Sequence, residues 1–143
     1  MMNQTAIFLP AAALAIWTLL VLGLVPLRRF RAVGQRKATA EDFRFGESAN
    51  VPGDVSIPNR AWMNLLEAPI LFYVGCIIWF SIERVDQTVV AVSWTYVGLR
   101  VVHTVIHVTY NNVVHRLIAF ALSMFTLIAF WVLLLLALLP LAA

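Results

Sequence analysis

Asn59-Arg60-Ala61-Trp62-Met63-Asn64-Leu65-Leu66-Glu67 sets an arginine, an asparagine and a glutamate at the head of a segment otherwise fit only for lipid. At about 100° per residue, the steps of four and three from Arg60 through Asn64 to Glu67 keep the three side chains on one helical stripe. Fifteen residues without a charge follow, Ala68 to Ile82. A charge facing hydrocarbon costs about 3 kcal/mol or more, so polar groups at that depth face a bundle interior or a wet cavity. The stripe requires partners from elsewhere in the chain.

The composition agrees with that reading. A mean hydropathy of +0.90, with 62% apolar and 12% charged residues, is far from a soluble domain, where about a quarter of residues are charged. The chain reads as a polytopic membrane protein whose 143 residues leave no room for a soluble catalytic domain beside the spans. Any chemistry then falls to groups in or just outside the bilayer. A single cysteine, Cys76, excludes an intrachain disulfide and a cysteine-based metal cluster, and its apolar surroundings mark it as a packing residue. The pI of 9.6 comes from basic residues crowded beside apolar runs, the topogenic pattern, and not from a nucleic-acid surface.

Working outward, four runs are long enough to cross about 30 Å of hydrocarbon as helices. They cover about residues 6–27, 60–82, 88–110 and 117–139 of one integral membrane domain, 1–143. The expected fold is all-α, a four-transmembrane-helix bundle. The first residues lack a basic n-region and no small-residue cleavage site follows, so the first span is expected to stay uncleaved. Arg28 to Pro58 is expected to be one long polar loop, ended by Asn59 as the cap of the second helix. Pro69 is expected to bend that helix by freeing the carbonyl near Leu65.

Charge assigns the sides. Arg28, Arg29, Arg31, Arg36, Lys37, Arg44, Arg60 and Arg116 fall on the side of the first and third loops, and only Arg84 on the other. By the positive-inside rule those loops are cytoplasmic and both termini lie outside, in what is expected to be a bacterial inner membrane.

The third span supplies the partners. Arg100, His103, Thr104 and His107 follow the i, i+3, i+4, i+7 spacing of one helical face. Counting residues inward from the cytoplasmic face at about 1.5 Å each sets Glu67 level with His103, Asn64 with His107, and Arg100 about a turn deeper than Glu67. A Glu67–Arg100 pair that merely holds the bundle in register is one reading of this. It leaves the remaining polar groups, Arg60, Asn64, His103, His107 and Arg116, unexplained, because each buried polar group must be satisfied. His103 and His107 with a nearby carboxylate fit zinc or iron. Three cations beside them oppose a divalent ion, and no metal is expected. Arginines, histidines, one asparagine and one glutamate suit a small polyanion that carries an amine, because guanidinium forks hold carboxylates and a glutamate pairs an ammonium. Glutathione has that pattern, and a cationic pocket shifts its thiol toward the nucleophilic thiolate.

These residues resemble the membrane-associated proteins in eicosanoid and glutathione metabolism, the MAPEG family. Arg60, Asn64 and Glu67 match the family's Arg-x-x-x-Asn-x-x-Glu/Asp motif, and Arg100-Val101-Val102-His103-Thr104-Val105 is similar to the prostaglandin E synthase branch. Arg116 corresponds to that branch's thiol-activating arginine. The chain departs from the branch at His107, where the branch has tyrosine, at Leu117, where it has serine, and at Met63, where it has a second glutathione-contacting arginine. The stretch His107 to Asn112 looks more like uncharacterised bacterial members, so eicosanoid synthesis is not implied. The resemblance implies a homotrimer with a site at each subunit interface.

The function expected from these readings is transfer of glutathione or a related thiol to lipophilic electrophiles, or reduction by it. Arg116 is the catalytic candidate, and Arg60, Asn64, Glu67, Arg100, His103 and His107 are the glutathione-binding candidates. Glutathione enters as co-substrate, and the partners are the bilayer, a lipophilic small molecule and further copies of the chain. The alternatives are a non-catalytic lipid- or partner-binding protein of the same fold, as the five-lipoxygenase activating protein is in this family, and a carrier or proton pathway through Glu67, His103 and His107. For the assigned sides, a cytoplasm-active reporter inserted between Arg36 and Asn50 is expected to give signal and the same reporter after Ala143 none. The reverse pattern would move the cavity to the other face.

Overall fold

The structure, a computed structural model, describes residues 3–141. Its helices are α1 (Phe8–Gly34), α2 (Gly53–Glu67), α3 (Pro69–Ser81), α4 (Gln87–Val108) and α5 (Val113–Leu138), and no strand occurs among the described residues. With their flanking 3-10 turns they make four rods long and apolar enough to cross a membrane: Gln4–Gly34, Gly53–Ser81, Gln87–Val108 and Val113–Leu141. The protein is thus an all-helical, multi-pass integral membrane protein.

Each rod buries one narrow stripe. On α1 it is Pro10, Leu14, Thr18, Val21 and Val25, and on α5 Ala119, Ser123, Leu127, Phe130 and Leu134, steps of three and four that keep one face inward. The other faces are not polar. Leu9, Ile16, Leu19 and Leu20 on α1 and Ile118, Phe125, Ile128 and Leu135 on α5 are exposed, a surface suited to lipid. Hydroxyls on the buried stripes bond within their own helices, Thr18 Oγ1 to the Leu14 carbonyl at 2.9 Å and Ser93 Oγ to that of Val89 at 2.8 Å. No stripe therefore carries an unsatisfied hydroxyl into the core at these positions.

The boundaries correct the sequence reading at three places. The first helix runs seven residues past Leu27, through Arg28, Arg29 and Arg31, to Gly34. The end of an apolar run marks where hydrocarbon stops, whereas arginine is a good helix former, so the helix continues out of the membrane. At 27 residues and about 1.5 Å each, it exceeds the roughly 30 Å needed to span. It closes with Arg36 in the left-handed region, φ 56°, the Lys37 amide on the Ala32 carbonyl and the Arg36 amide on that of Val33, a Schellman-type end.

The second helix starts at Gly53, not at Arg60, with Pro52 as its cap, so Asn59 lies inside the helix and does not cap it. Pro52 is extended and its carbonyl takes the Val55 and Ser56 amides, while Asp54 in the first turn suits the positive end of the helix dipole. Pro69 divides the rod into two helices, with Ala68 between them in right-handed helical geometry. Helix α2 ends at Glu67, Ala68 joins, and Pro69 opens α3. A proline has no amide hydrogen and its ring crowds the preceding turn, which makes it a better first residue of a helix than an interior one.

The residues between α1 and α2 are not a structureless loop. Ala40–Phe43 forms a 3-10 turn, and Phe43 packs against a small cluster of Ala32, Ala38, Val51 and Val55. Arg29 pairs with Glu47 at 3.1 Å and lies 5.0 Å from the Phe43 ring centre. Asp42 is the latch: its carboxylate accepts from the Thr39 hydroxyl at 2.7 Å, the Thr39 amide at 2.8 Å and the Ser48 hydroxyl at 2.7 Å. The Thr39 and Ser48 hydrogen bonds hold the Asp42 carboxyl down to about 2. A depressed carboxyl contributes its stability above the unfolded value of about 3.9 and loses it as pH falls through the folded one, so the latch is closed at neutral pH.

At the opposite end, the Gln4 side chain accepts the Val85 amide at 2.8 Å and donates to its carbonyl at 3.3 Å, tying the first turn to the short link between α3 and α4. Within the bundle α4 packs on α5, α1 on α2, and α4 also meets α1 and α2. The core is aromatic where α3, α4 and α5 meet: Phe72 lies 4.8 Å from Tyr96 and 5.4 Å from Phe130, and Trp79 lies 6.4 Å from Phe130. Gly75 lets the Phe130 ring press against the α3 backbone, and a Cβ there would collide with it. Phe130 is fully buried between Phe72 and Trp79 and has nowhere to retreat. Gly75→Ala is expected to destabilise by about 1–3 kcal/mol through overpacking. Gly23→Ala, where a Cβ meets nothing within 4 Å, is expected to be neutral or slightly stabilising. Thermal unfolding of both variants in one detergent checks the contrast.

Candidate functional site

On α4 the expected face forms as one: Arg100, His103, Thr104 and His107 are all buried, with 0%, 4%, 1% and 7% of their surface exposed. The α2 stripe divides. Asn64 is half-buried and turned to α4, whereas Arg60 and Glu67 are exposed. Arg116 sits in the first turn of α5, which begins at Val113, four residues before the expected Leu117.

Asn64, His103, His107 and Arg116 meet around an open cleft of about 300 Å³, completed by Val113, Leu117 and Phe120. Four of the sequence-derived candidates therefore line one space, and Arg60, Glu67 and Arg100 do not line it. Arg100 lies behind it. One terminal nitrogen, Nη2, donates to the Asn64 carbonyl at 2.6 Å and to Asn64 Oδ1 at 2.8 Å. The guanidinium carbon is 5.8 Å from the Phe120 ring centre, within cation–π reach. Nε and Nη1 of Arg100 are buried without a protein partner, as is Nδ1 of His107.

Arg100 does not pair with Glu67. Among the described residues the ion pairs are Arg29–Glu47 and Arg44–Glu41, both outside the bundle core. Glu67 stands in the last turn of α2 and is exposed, outside ion-pairing distance of Arg100. Of the pairings expected from counting along the chain, Asn64 does meet His107 at one cleft, and Arg100 reaches Asn64 where Glu67 was the expected partner.

Two rings and a turn order the cleft. His103 lies 5.9 Å from His107 and 5.7 Å from Phe120, ring centre to ring centre. Arg116 Nη1 donates to Asn111 Oδ1 at 2.8 Å. Asn111 is in the left-handed region, φ 47°, and its amide returns to the Ile106 carbonyl at 2.8 Å, so it closes α4 and holds the Arg116 head together. Asn112 caps α5 by accepting the His115 amide at 3.0 Å. His115 points into the turn, 3.2 Å from the Tyr110 hydroxyl, outside the cleft.

Phe120 and Asn111 were not singled out from the sequence. Phe120 stands four residues after Arg116, one turn along the same face of α5, and that spacing was the available signal. Asn111 carried no such signal, because its role comes from a left-handed backbone that a run of polar turn residues does not specify.

The cleft is thus rich in donors and cationic. Asn64, Arg116 and the two imidazoles line it, Arg100 adds charge from behind, and no carboxylate lies among its lining residues. Val113, Leu117 and Phe120 give it an apolar side. Such a surface accepts an anion with an apolar portion. No group of three or more His, Cys, Asp or Glu side chains arranged to hold a metal occurs among the described residues.

The fold and the cleft define a class, a multi-pass helical membrane protein with a donor-rich cleft between its helices that contains an arginine and no carboxylate. The chain belongs to the MAPEG family, whose family model matches residues 7–136, a range that reaches into all four spanning rods. It is in general terms a membrane protein of the glutathione- and eicosanoid-metabolism type. No curated protein and no solved structure matches it.

The Asn111–Arg116 contact separates two effects. Asn111→Ala removes the hydrogen bond and also sets a side chain in a left-handed conformation, which costs about 1–2 kcal/mol. Asn111→Gly removes the hydrogen bond alone. Stability is expected to fall for the alanine variant and to be largely kept by glycine, and denaturation curves measured side by side check this.

Proposed function

We propose that the protein is a membrane-embedded transferase or peroxidase-like enzyme that uses glutathione, or a related thiol, on lipophilic electrophiles. The observation that carries this reading is the cleft at Asn64, His103, His107 and Arg116, whose guanidinium and polar side chains share it with the apolar Val113, Leu117 and Phe120. Family membership supports the choice of thiol.

In this reading Asn64, His103 and His107 hold the peptide part of glutathione from the cleft wall, and Arg100 contributes charge from behind it. Arg60 and Glu67, exposed on α2, complete the site across the contact with a second copy in a homotrimer, where Glu67 pairs the ammonium. Arg116 stabilises the thiolate. A guanidinium stays charged at any working pH, and a cation beside a thiol lowers its pKa from about 8.5 by one or more units. The thiolate sulfur gives its electron pair to the electrophilic carbon, a C–S bond forms, and the leaving group departs with the electrons of the broken bond. With a hydroperoxide the thiolate attacks the terminal oxygen, the O–O bond breaks to give the sulfenic acid and an alkoxide that takes a proton from water to leave as the alcohol, and a second glutathione thiol converts the sulfenic acid to the disulfide with loss of water. The lipophilic reactant arrives from the bilayer along the apolar side.

Calorimetry of the purified protein with glutathione, followed by turnover of a generic electrophile, tests the reading. Binding with turnover supports it, and absence of binding and turnover with glutathione and with other low-molecular-weight thiols replaces it with the non-catalytic lipid- or partner-binding alternative. For the mechanism, Arg116→Ala is expected to slow turnover at neutral pH while leaving most of the glutathione affinity, and Arg116→Lys to do so less. Thiolate absorbance of the bound complex, titrated against pH, should show a higher thiol pKa in Arg116→Ala than in wild type. Equal values would remove Arg116 from the mechanism.

A further inference from the structure

Arg100 does not line the cleft, yet it is the largest fully buried side chain in the protein. Its Nη2 donates both to the backbone carbonyl and to the side-chain oxygen of Asn64, at 2.6 and 2.8 Å. A guanidinium has donors only, so the asparagine atom that faces it must be the oxygen. The two ends of the amide are thereby distinguished: Oδ1 is turned to Arg100, and Nδ2 is left without a protein partner among the described residues, on a side chain that lines the cleft. The second bond, to the Asn64 carbonyl, fixes the α2 backbone at the same residue, so amide rotation would forfeit a charge-assisted bond.

We infer that Arg100 is a positioning residue that acts on the cleft through Asn64, fixing its amide so that a donor, not an acceptor, faces the bound molecule. The ligand group met there is an acceptor, a carboxylate or peptide carbonyl. The inference rests on the glutathione reading above for the identity of that ligand, and on the hydrogen-bond geometry alone for the orientation of Asn64. It reassigns Arg100 from a ligand contact to the support of one. Phe120 braces it from the other side: its ring lies 5.8 Å from the guanidinium carbon and also lines the cleft.

The test is a double-mutant cycle with a second, ligand-free readout. Glutathione affinity is measured for wild type, Arg100→Met, Asn64→Ala and the double variant, each checked for assembly and thermal stability. Arg100→Met and Asn64→Ala are each expected to lose about tenfold in affinity, and the double variant about as much as Asn64→Ala alone, because the effects of residues acting as one unit do not add. Arg100→Lys, which keeps a donor and a charge, should recover part of the loss. Losses that multiply in the double variant would overturn the inference and return Arg100 to an independent role. In the ligand-free arm, nuclear magnetic resonance follows the Asn64 side-chain amide protons in protein labelled at asparagine. A single rotamer about the Asn64 Cβ–Cγ bond, read from nuclear Overhauser contacts of its Nδ2 protons with the cleft-lining rings, is expected in wild type and Arg100→Lys, and averaging of two rotamers in Arg100→Met. The same single rotamer in Arg100→Met as in wild type would overturn the inference whether or not glutathione binds. Failure of wild type to bind glutathione with the amide result intact would remove the functional reading and leave the positioning role in place. If Arg100→Met fails to assemble, Arg100→Gln takes its place with the same outcomes.

Discussion

A guanidinium with no exposed surface, inside a bundle whose outer faces are suited to lipid, is the constraint on which this structure turns. Hydrocarbon offers nothing to an unpaired cation, and removing one from water costs several kcal/mol even after relaxation. No carboxylate lies within ion-pairing distance of Arg100 among the described residues. Its charge is met by dipoles instead: the backbone and side-chain oxygens of Asn64 and the face of Phe120. This brings α2, α4 and α5 to one point. The donor-rich cleft is the other side of that arrangement, with its cationic character supplied by residues that no internal acid neutralises.

Everything around the cleft serves to keep that point in place. The α3 backbone is held close to α5 because Gly75 has no side chain and Phe130 fills the space, with Phe72, Tyr96 and Trp79 packed about the ring. The α2–α3 rod changes helix at Ala68–Pro69, which ends the polar stripe at Glu67 before the apolar half begins. At the polar end of α1, the Asp42 latch and the Arg29–Glu47 pair fold the connection back on the helix. A single partly buried pair at the protein's surface adds only modest stability by itself. The apolar cluster beneath, Ala32, Ala38, Val51 and Val55, gives the connection a core of its own.

The remaining polar residues of the α2 stripe are informative by where they stand. Arg60 and Glu67 share Asn64's helix and are exposed while Asn64 faces inward. A helix that carries one half-buried and two exposed polar residues on what the spacing makes a single stripe has its interior face at the stripe's edge.

The amino-acid sequence by itself determined the number of spanning rods, the absence of a cysteine framework, and the single polar face of α4, because hydrocarbon thickness and the 3.6-residue repeat act on each segment independently of the others. It also singled out four residues that share the cleft, Asn64, His103, His107 and Arg116. The tertiary structure decided the rest. Helix ends at Gly34 and Gly53 lie outside the apolar runs, since charge marks the membrane boundary and not the end of a helix. Arg100 meets Asn64 and not Glu67, and Phe120 and Asn111 join the site, because which residues of two helices face one another depends on their relative rotation and height. Those two quantities are set by how side chains such as Phe130 interlock with Gly75, a relation between distant segments that no local pattern contains.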